Sequence, residues 1–458
     1  MTVNAPPDRA SNARALRTKK LLEGPIAPTL LGLATANLPL MIGQAGAGVI
    51  EGWYIGQLGV GALASVALVY PILIMMQMCA AGAMGGAVNS AVARALGAGA
   101  PDRAANLVIH ACLIALGGAL LFMIPMLVFG REVVDFFGAT DATRDEAIAY
   151  ASVVFLGAPT VWLANTLASV VRGSGAMAIS AAAIFGAFAI QMGLGSALTL
   201  GLGPFPQLGL RGAAFGHLFG FAAATLFLGF YVASGRVGLR IDFARIQLSI
   251  SQFADILRVG VFALVSPLVN VATVMLITGI VARSGAEALA GYGLGARLEF
   301  LMVPIVFGIG TSLTAMVGAN AGAGQWDRAR RTALTGGLMA GAITGSIGIA
   351  VAVFPGLWLD MFVSDPAARE AGALYLRYAG PLYFFLGLGL ATYFASLGAG
   401  RMKWPTISLG CRLAVVAGGG TLASAYGLEA TFFAIGLGFV VLGCMNAWGI
   451  LSGAWTAR

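Results

Sequence analysis

Few residues of this chain could do chemistry, and the first met is Glu51. It stands in the stretch Gly43–Gly59, GQAGAGVIEGWYIGQLG, after a run from Ile26 to Ile50 that carries no charge. That run is long enough to cross a bilayer, and Trp53 and Tyr54 follow it as an interfacial aromatic pair would. A carboxylate placed there either ends a membrane-spanning helix or works inside one. On a helix, Asn37, Gln44 and Glu51 recur every seven residues, with Tyr54 three further on, so they form one polar stripe on an apolar rod. Apolar surroundings disfavour the charged form of a carboxyl. A buried Glu51, with Gln44 and Tyr54 beside it, would be suited to load a proton on one side of a membrane and lose it on the other. Pro39 removes a backbone hydrogen bond and would bend the helix.

Other candidates are sparser. Glu299 follows Arg297 by two residues at the start of an apolar segment, so the two do not share a helix face. It reads as a solvated or locally paired helix end, with a second titrating group as the alternative. Arg412 lies inside an apolar segment without an acidic neighbour in sequence, and hydrogen bonds to backbone carbonyls are expected of it. Met75, Met76, Met78 and Met84 cluster as an adaptable apolar surface or as core filler. Met75 and Met78, with Gln191 and Asn270, are the candidate substrate-cavity residues, and interhelical hydrogen bonding is the other role open to the two amides. Cys79, Cys112, Cys411 and Cys444 have no metal-ligand spacing, and His110 and His217 stand far apart. No metal site and no cofactor are expected. An intramembrane enzyme would need convergent His, Asp, Ser or Cys, which the isolated histidines argue against. The absence of a GxxxxGK[ST] loop argues against an ATP-driven pump.

The elements that carry these residues follow from composition. Of 458 residues 59 % are hydrophobic and only 10 % charged, with a mean hydropathy of +0.90. A soluble chain carries about 25 % charged residues, so the class is an all-α polytopic membrane protein, its partners the lipid bilayer and a small-molecule substrate. Apolar segments fall at 26–55, 60–94, 105–129, 147–171, 177–201, 209–234, 257–282, 288–320, 332–356, 372–397, 404–425 and 429–455. Lys and Arg gather in the first 24 residues, in the even-numbered connections and at Arg458, eighteen there against seven on the other side. That bias puts both ends in the cytoplasm and accounts for the net charge of +8 without a nucleic-acid partner. Residues 1–24 read as a basic, disordered cytoplasmic tail, 25–235 as a six-helix lobe, 236–256 as a cytoplasmic linker and 257–458 as a second six-helix lobe.

An internal repeat supports the two lobes. Residues 97–104 (GAGAPDRA) match 322–329 (GAGQWDRA), 225 residues on; at the same offset Asp135 meets Asp360, Arg144 meets Arg369 and Tyr150 meets Tyr375. Gly59 and Ala62–Ala64 meet Gly285 and Ala288–Ala290 one residue later. Six spans per half make the repeats parallel, an arrangement suited to alternating access. By contrast, Glu51 meets Ile277, which is not acidic.

With these features the chain resembles the multidrug and toxic compound extrusion (MATE) transporters. The resemblance rests on Glu51-Gly-Trp-Tyr-Ile-Gly-Gln-Leu-Gly, on Ala93-Arg94-Ala95-Leu96-Gly97-Ala98-Gly99, on Val171-Arg172-Gly173-Ser174-Gly175 and on the later copy Val317-Gly318-Ala319-Asn320-Ala321-Gly322-Ala323-Gly324. It implies twelve helices in two lobes and export of amphipathic, often cationic compounds by antiport against H⁺ or Na⁺. It also implies the cell inner membrane and a monomeric transporter. Members usually carry Asp at the Glu51 position, and many carry Asn and then Asp-Pro in span five. Those positions align here with Gln191 and Gly195-Ser196, so the second carboxylate is missing. A lone carboxyl favours H⁺ as the coupling ion. The alternative function is a lipid-linked oligosaccharide or polysaccharide flippase of the same superfamily; its pyrophosphate would call for more Lys or Arg within the spans.

Overall fold

The structure, a computed structural model, describes residues 9–241, 247–362 and 365–455. Eleven helices among them are long and apolar enough to cross a membrane, and a bent pair makes twelve. We number them α1 (Ile26–Gly56), α2 (Val60–Gly97), α3 (Pro101–Val128), α4 (Thr143–Leu156 and Ala158–Gly173, bent by 42°), α5 (Met177–Leu200) and α6 (Leu210–Ala233). The second set is α7 (Ile250–Ala282), α8 (Ala286–Gly322), α9 (Trp326–Val353), α10 (Pro366–Gly398), α11 (Lys403–Tyr426) and α12 (Leu428–Leu451). With the chain's low charge these make it a multi-pass membrane protein, and every expected span has its helix.

Three of the long helices depart from regular α-helix along their length. In α1 the helix breaks at Ala36–Asn37 and restarts at Leu38, with Pro39 in its first turn. Proline lacks an N–H to donate and is best tolerated where that donor would be unused. The expected polar stripe is therefore cut: Asn37 caps the second section and does not share a continuous helix with Gln44 and Glu51. In α2, Met78–Met84 winds as a π-helix, and in α11 so does Val415–Gly419.

The chain divides into two compact units. The first comprises residues up to Leu21 and Thr35–Gly260; the second comprises Leu22–Ala34 and the chain from Val261. In the first unit α5 and α6 pack most closely. A Cβ added at Gly216 would lie 2.4 Å from the Gly195 Cα, so only hydrogen fits, as at other close crossings of membrane helices. In the second unit α9 and α10 are in the same relation: a Cβ at Gly348 would stand 2.0 Å from the Gly380 carbonyl oxygen.

The repeat seen in sequence recurs in the backbone. Gly59 and Gly285 open α2 and α8 with φ of 107° and 109°, and Gly99 and Gly324 turn the chain after them with φ of 70° and 74°. Only glycine reaches this left-handed region without strain. Arg144 pairs with Asp135 at 2.5 Å, and Arg369 with Asp360 at 2.6 Å. The same two residue types thus close the same loop in each half.

Two expectations need correction. The tail expected to be disordered is helical over Arg9–Glu23. Its Ala, Leu, Arg and Lys residues are good helix formers, and Arg17 anchors it by donating to the Ser174 and Val237 carbonyls at 3.3 and 3.0 Å. The linker expected over 236–256 ends early, because α7 starts at Ile250. Its first turns are held in the first unit by Arg94 and Arg103, each 2.9 Å from Asp255, and by His110 Nε2, which accepts the Ser249 N–H at 3.0 Å. Pro6, Pro7, Asp242, Arg245 and Arg458 lie outside the described residues.

Candidate functional site

Glu51 sits in the last turns of α1, on the section that packs along α5. Close approach there depends on Gly43, where a Cβ would lie 2.9 Å from the Phe185 ring. The carboxylate is taken up by two other helices. Tyr150 Oη of α4 donates to Oε1 at 3.4 Å, and Gln191 Nε2 of α5 donates to Oε2 at 3.1 Å. The amide oxygen of Gln191 in turn accepts from His217 Nδ1 of α6 at 3.3 Å. Four helices of the first unit thus meet in one chain of hydrogen bonds, Tyr150–Glu51–Gln191–His217.

Tyr54 lies next to this chain. It is fully buried while its neighbour Trp53 is 59 % exposed, so the two do not form the interfacial pair that the sequence suggested. The Tyr54 hydroxyl is enclosed without a hydrogen-bond partner and stands 2.9 Å from where a Cβ of Gly195 would be. Gln44 is exposed and makes no hydrogen bond with Glu51 among the described residues. Of the three residues grouped as an ion-coupling set, Glu51 and Tyr54 therefore share an interior and Gln44 stands apart. Of the four cavity candidates, Met75, Met78 and Gln191 belong to the first unit and Asn270 to the second. Met78 is 37 % exposed and Met75 half-buried, whereas Gln191 is buried on Glu51.

The second unit holds a carboxyl cluster of its own. Glu299 is not a helix end: it stands well inside α8, where its Oε1 accepts from the hydroxyls of both Tyr375 and Tyr383 of α10, the latter at 3.3 Å. Tyr292 packs edge-on against Tyr375, which packs likewise on Phe432. Arg412 Nη1 donates to Asn270 Oδ1 at 3.1 Å, a side-chain partner where backbone carbonyls were expected. The tyrosine was legible in sequence, since Tyr375 is the repeat mate of Tyr150. The carboxyl it holds was not, because it comes from α8 here and from α1 in the first unit. His217 was also missed as a member of the Glu51 chain; nothing in its sequence neighbourhood marks it.

Comparison with known proteins places this architecture. A profile described as MatE matches residues 40–196 and again 263–418, once in each half. The chain belongs to the MATE family. An FAD transporter of Shewanella oneidensis is 27 % identical over 380 residues, covering 80 % of this chain and 81 % of that one. A probable multidrug resistance protein NorM of Thermotoga maritima is 24 % identical, covering 79 % and 77 %. A solved outward-facing MATE multidrug resistance transporter superposes with a TM-score of 0.86 at 22 % identity, over 95 % of this chain and 98 % of that one. A second solved structure, described as a superfamily transporter with a binding pocket of reversed polarity, has a TM-score of 0.87 at the same identity, over 96 % and 98 %. MATE members are transporters, so this chain is a membrane transporter and not an enzyme, with multidrug exporters among its relatives. The span-five position where many MATE proteins carry Asp is Gly195 here, and the Tyr54 hydroxyl occupies the space that a side chain would have taken.

Proposed function

We propose that this MATE protein exports amphipathic small molecules, cations among them, by alternating access in exchange for protons, and that Glu51 carries the coupling proton. The observation behind this reading is the chain Tyr150–Glu51–Gln191–His217, a single carboxyl tied to three other helices of its unit. Ionised Glu51 accepts from both neighbours. Protonated Glu51 has a hydrogen to donate and needs an acceptor. Rotation of the Gln191 amide supplies one by turning its oxygen to Glu51, which breaks the bond that this oxygen accepts from His217 Nδ1. The proton on α1 is thereby read on α5 and α6, and a substrate that prefers one arrangement shifts the same equilibrium. A site for Na⁺ needs several convergent oxygens, and the span-five acid that would add one is replaced by Gly195. Both termini face the cytoplasm of the inner membrane in this scheme, and one chain suffices. Relatives described as multidrug exporters and as an FAD transporter support a substrate with a flat apolar part.

The test is transport of a fluorescent amphipathic cation by proteoliposomes under separately imposed pH and Na⁺ gradients. Efflux driven by the pH gradient and lost in Glu51→Gln is the expected result. Efflux driven by Na⁺ alone, or undiminished in Glu51→Gln, overturns the assignment.

A further inference from the structure

The second unit contains a charge that the coupling scheme leaves unused. Arg412 is only 8 % exposed, and among the described residues no carboxylate forms an ion pair with it. Its guanidinium has five N–H donors. Nη1 gives one to Asn270 Oδ1, and the face of the group rests on the Phe439 ring, 5.3 Å from the centroid. The Nε hydrogen is sealed in without a partner, whereas Nη2 makes no hydrogen bond and is not among the enclosed atoms. That edge keeps hydrogens that a ligand could accept. Glu299 stands in the same unit, and among the described residues both of its hydrogen bonds come from tyrosines.

An isolated buried charge is costly, and a protein that keeps one has a compensating partner. The chain supplies half of one, an amide oxygen and a ring, and leaves the Nη1–Nη2 fork with hydrogens still to donate. Such a fork fits the two oxygens of a carboxylate or phosphate. The backbone next to it is also unusual: the π-helical turns Val415–Gly419 begin three residues after Arg412, and such turns occur often at functional sites. Phe439, Tyr292 and Tyr375 supply aromatic surface in the same unit.

We infer that Arg412 recognises an acidic group, carboxylate or phosphate, on an amphipathic substrate, so that anionic and zwitterionic compounds as well as cations are bound. This deepens the export reading and rests on it for the word substrate. Asn270 is then a positioning residue, holding the guanidinium so that Nη2 is presented, and Glu299 competes with the ligand for the same positive charge.

Equilibrium binding to the full chain in lipid nanodiscs tests this without any gradient, so failure of coupled export does not bear on the result. Dansylglycine and dansylglycinamide differ only in their acidic group; dansyl-aminoethyl phosphate and dansyl-aminoethanol form the phosphate pair, so that the two pairs tell carboxylate from phosphate. The native protein is expected to bind at least one acid about tenfold or more tightly than its neutral mate. Arg412→Gln is expected to bind acid and neutral forms alike, with thermal unfolding like that of the native protein as the sign of an intact fold. Arg412→Lys keeps part of the preference, and Glu299→Gln enlarges it. Equal binding of acid and neutral forms by the native protein overturns the inference, whatever the variants do, and so does a preference that survives in Arg412→Gln.

Discussion

Substituting Gly216 by Ala tests whether the Glu51 chain depends on the crossing of α5 and α6. The new Cβ would lie 2.4 Å from Gly195 Cα, 2.7 Å from its nitrogen and 2.9 Å from the Gln191 carbonyl oxygen. All three are backbone atoms, so no side chain can turn aside. Carbon atoms in contact prefer about 3.5–4.0 Å, so α6 must move off α5 by about 1 Å or more. His217 follows Gly216 directly, and its 3.3 Å contact with Gln191 would open beyond hydrogen-bond reach. Overpacking of this kind costs about 1–3 kcal/mol, but a Gly-to-Ala change inside a helix also gains about 1 kcal/mol in propensity. Gly193→Ala is the matched control: a Cβ there meets nothing within 4 Å, so it gains the propensity without the strain. The difference between the two variants isolates packing at about 1–3 kcal/mol. It is read from thermal unfolding in nanodiscs, alongside pH-driven efflux from vesicles. Gly216→Ala should melt below Gly193→Ala and export poorly. Equal melting with normal export would show that the close crossing is incidental.

Three further predictions concern the carboxyls. Tyr150→Phe leaves Glu51 with Gln191 as its one donor among the described residues and, since a hydrogen bond to a charged group contributes about 1.5–3 kcal/mol, should slow pH-driven efflux about tenfold or more while binding of a neutral probe is kept; unchanged efflux would remove Tyr150 from the mechanism. In the second unit, Tyr375→Phe and Tyr383→Phe each leave Glu299 one tyrosine donor, whereas the double variant leaves none, so its loss of stability in a double-mutant cycle should exceed the sum of the singles; simple additivity would mean that the two bonds are independent. Outside the spans, the Arg369 guanidinium holds the Asp360 carboxyl below its usual range. A depressed acid lends stability above its unfolded pKa of about 3.9 and withdraws it as pH falls through the folded value. Asp360→Asn should therefore lower stability slightly at neutral pH, because an exposed pair is weak, and flatten the acid limb below about pH 4, where the two proteins converge; an acid limb as steep as that of the native protein would refute the pairing.

Much of the architecture was legible because lipid leaves few choices: apolar runs of sufficient length must be helices, and the basic residues follow the loops. The repeat was legible too, since left-handed turns demand Gly99 and Gly324 and a loop-closing pair demands Asp and Arg at a fixed separation. What sequence could not provide was the third dimension of a helix face. Heptad spacing placed Gln44 with Glu51, but the real partners of Glu51 come from α4 and α5, about 100 and 140 residues away. Spacing also made Glu299 a helix end beside Arg297, because the tyrosines that enclose it lie on α10. The tail failed for a different reason. Its composition is polar enough for disorder, and only the carbonyls of Ser174 and Val237, distant in sequence, reveal what Arg17 holds.

Duplication preserved the tyrosine, Tyr150 in one unit and Tyr375 in the other, and each donates to a carboxylate. It did not preserve the carboxylate's position, which is on α1 in the first unit and on α8 in the second. The surroundings diverged as well. Glu51 leads through an uncharged amide to His217, and the bond to His217 is lost when the amide turns. Glu299 has two tyrosines, which donate more readily than they accept, and a permanent positive charge in the same interior. The first cluster therefore has a route by which a change at its carboxyl reaches other helices, and the second holds a permanent cation with donors to spare. On this reading the halves have divided the labour, with proton exchange at Glu51 and recognition at Arg412. The single variants Glu51→Gln and Arg412→Gln should then fail in different assays, the first in gradient-driven efflux and the second in the choice between acidic and neutral ligands. If each variant abolished both, the division would be wrong and the two units would have to be treated as one coupled site.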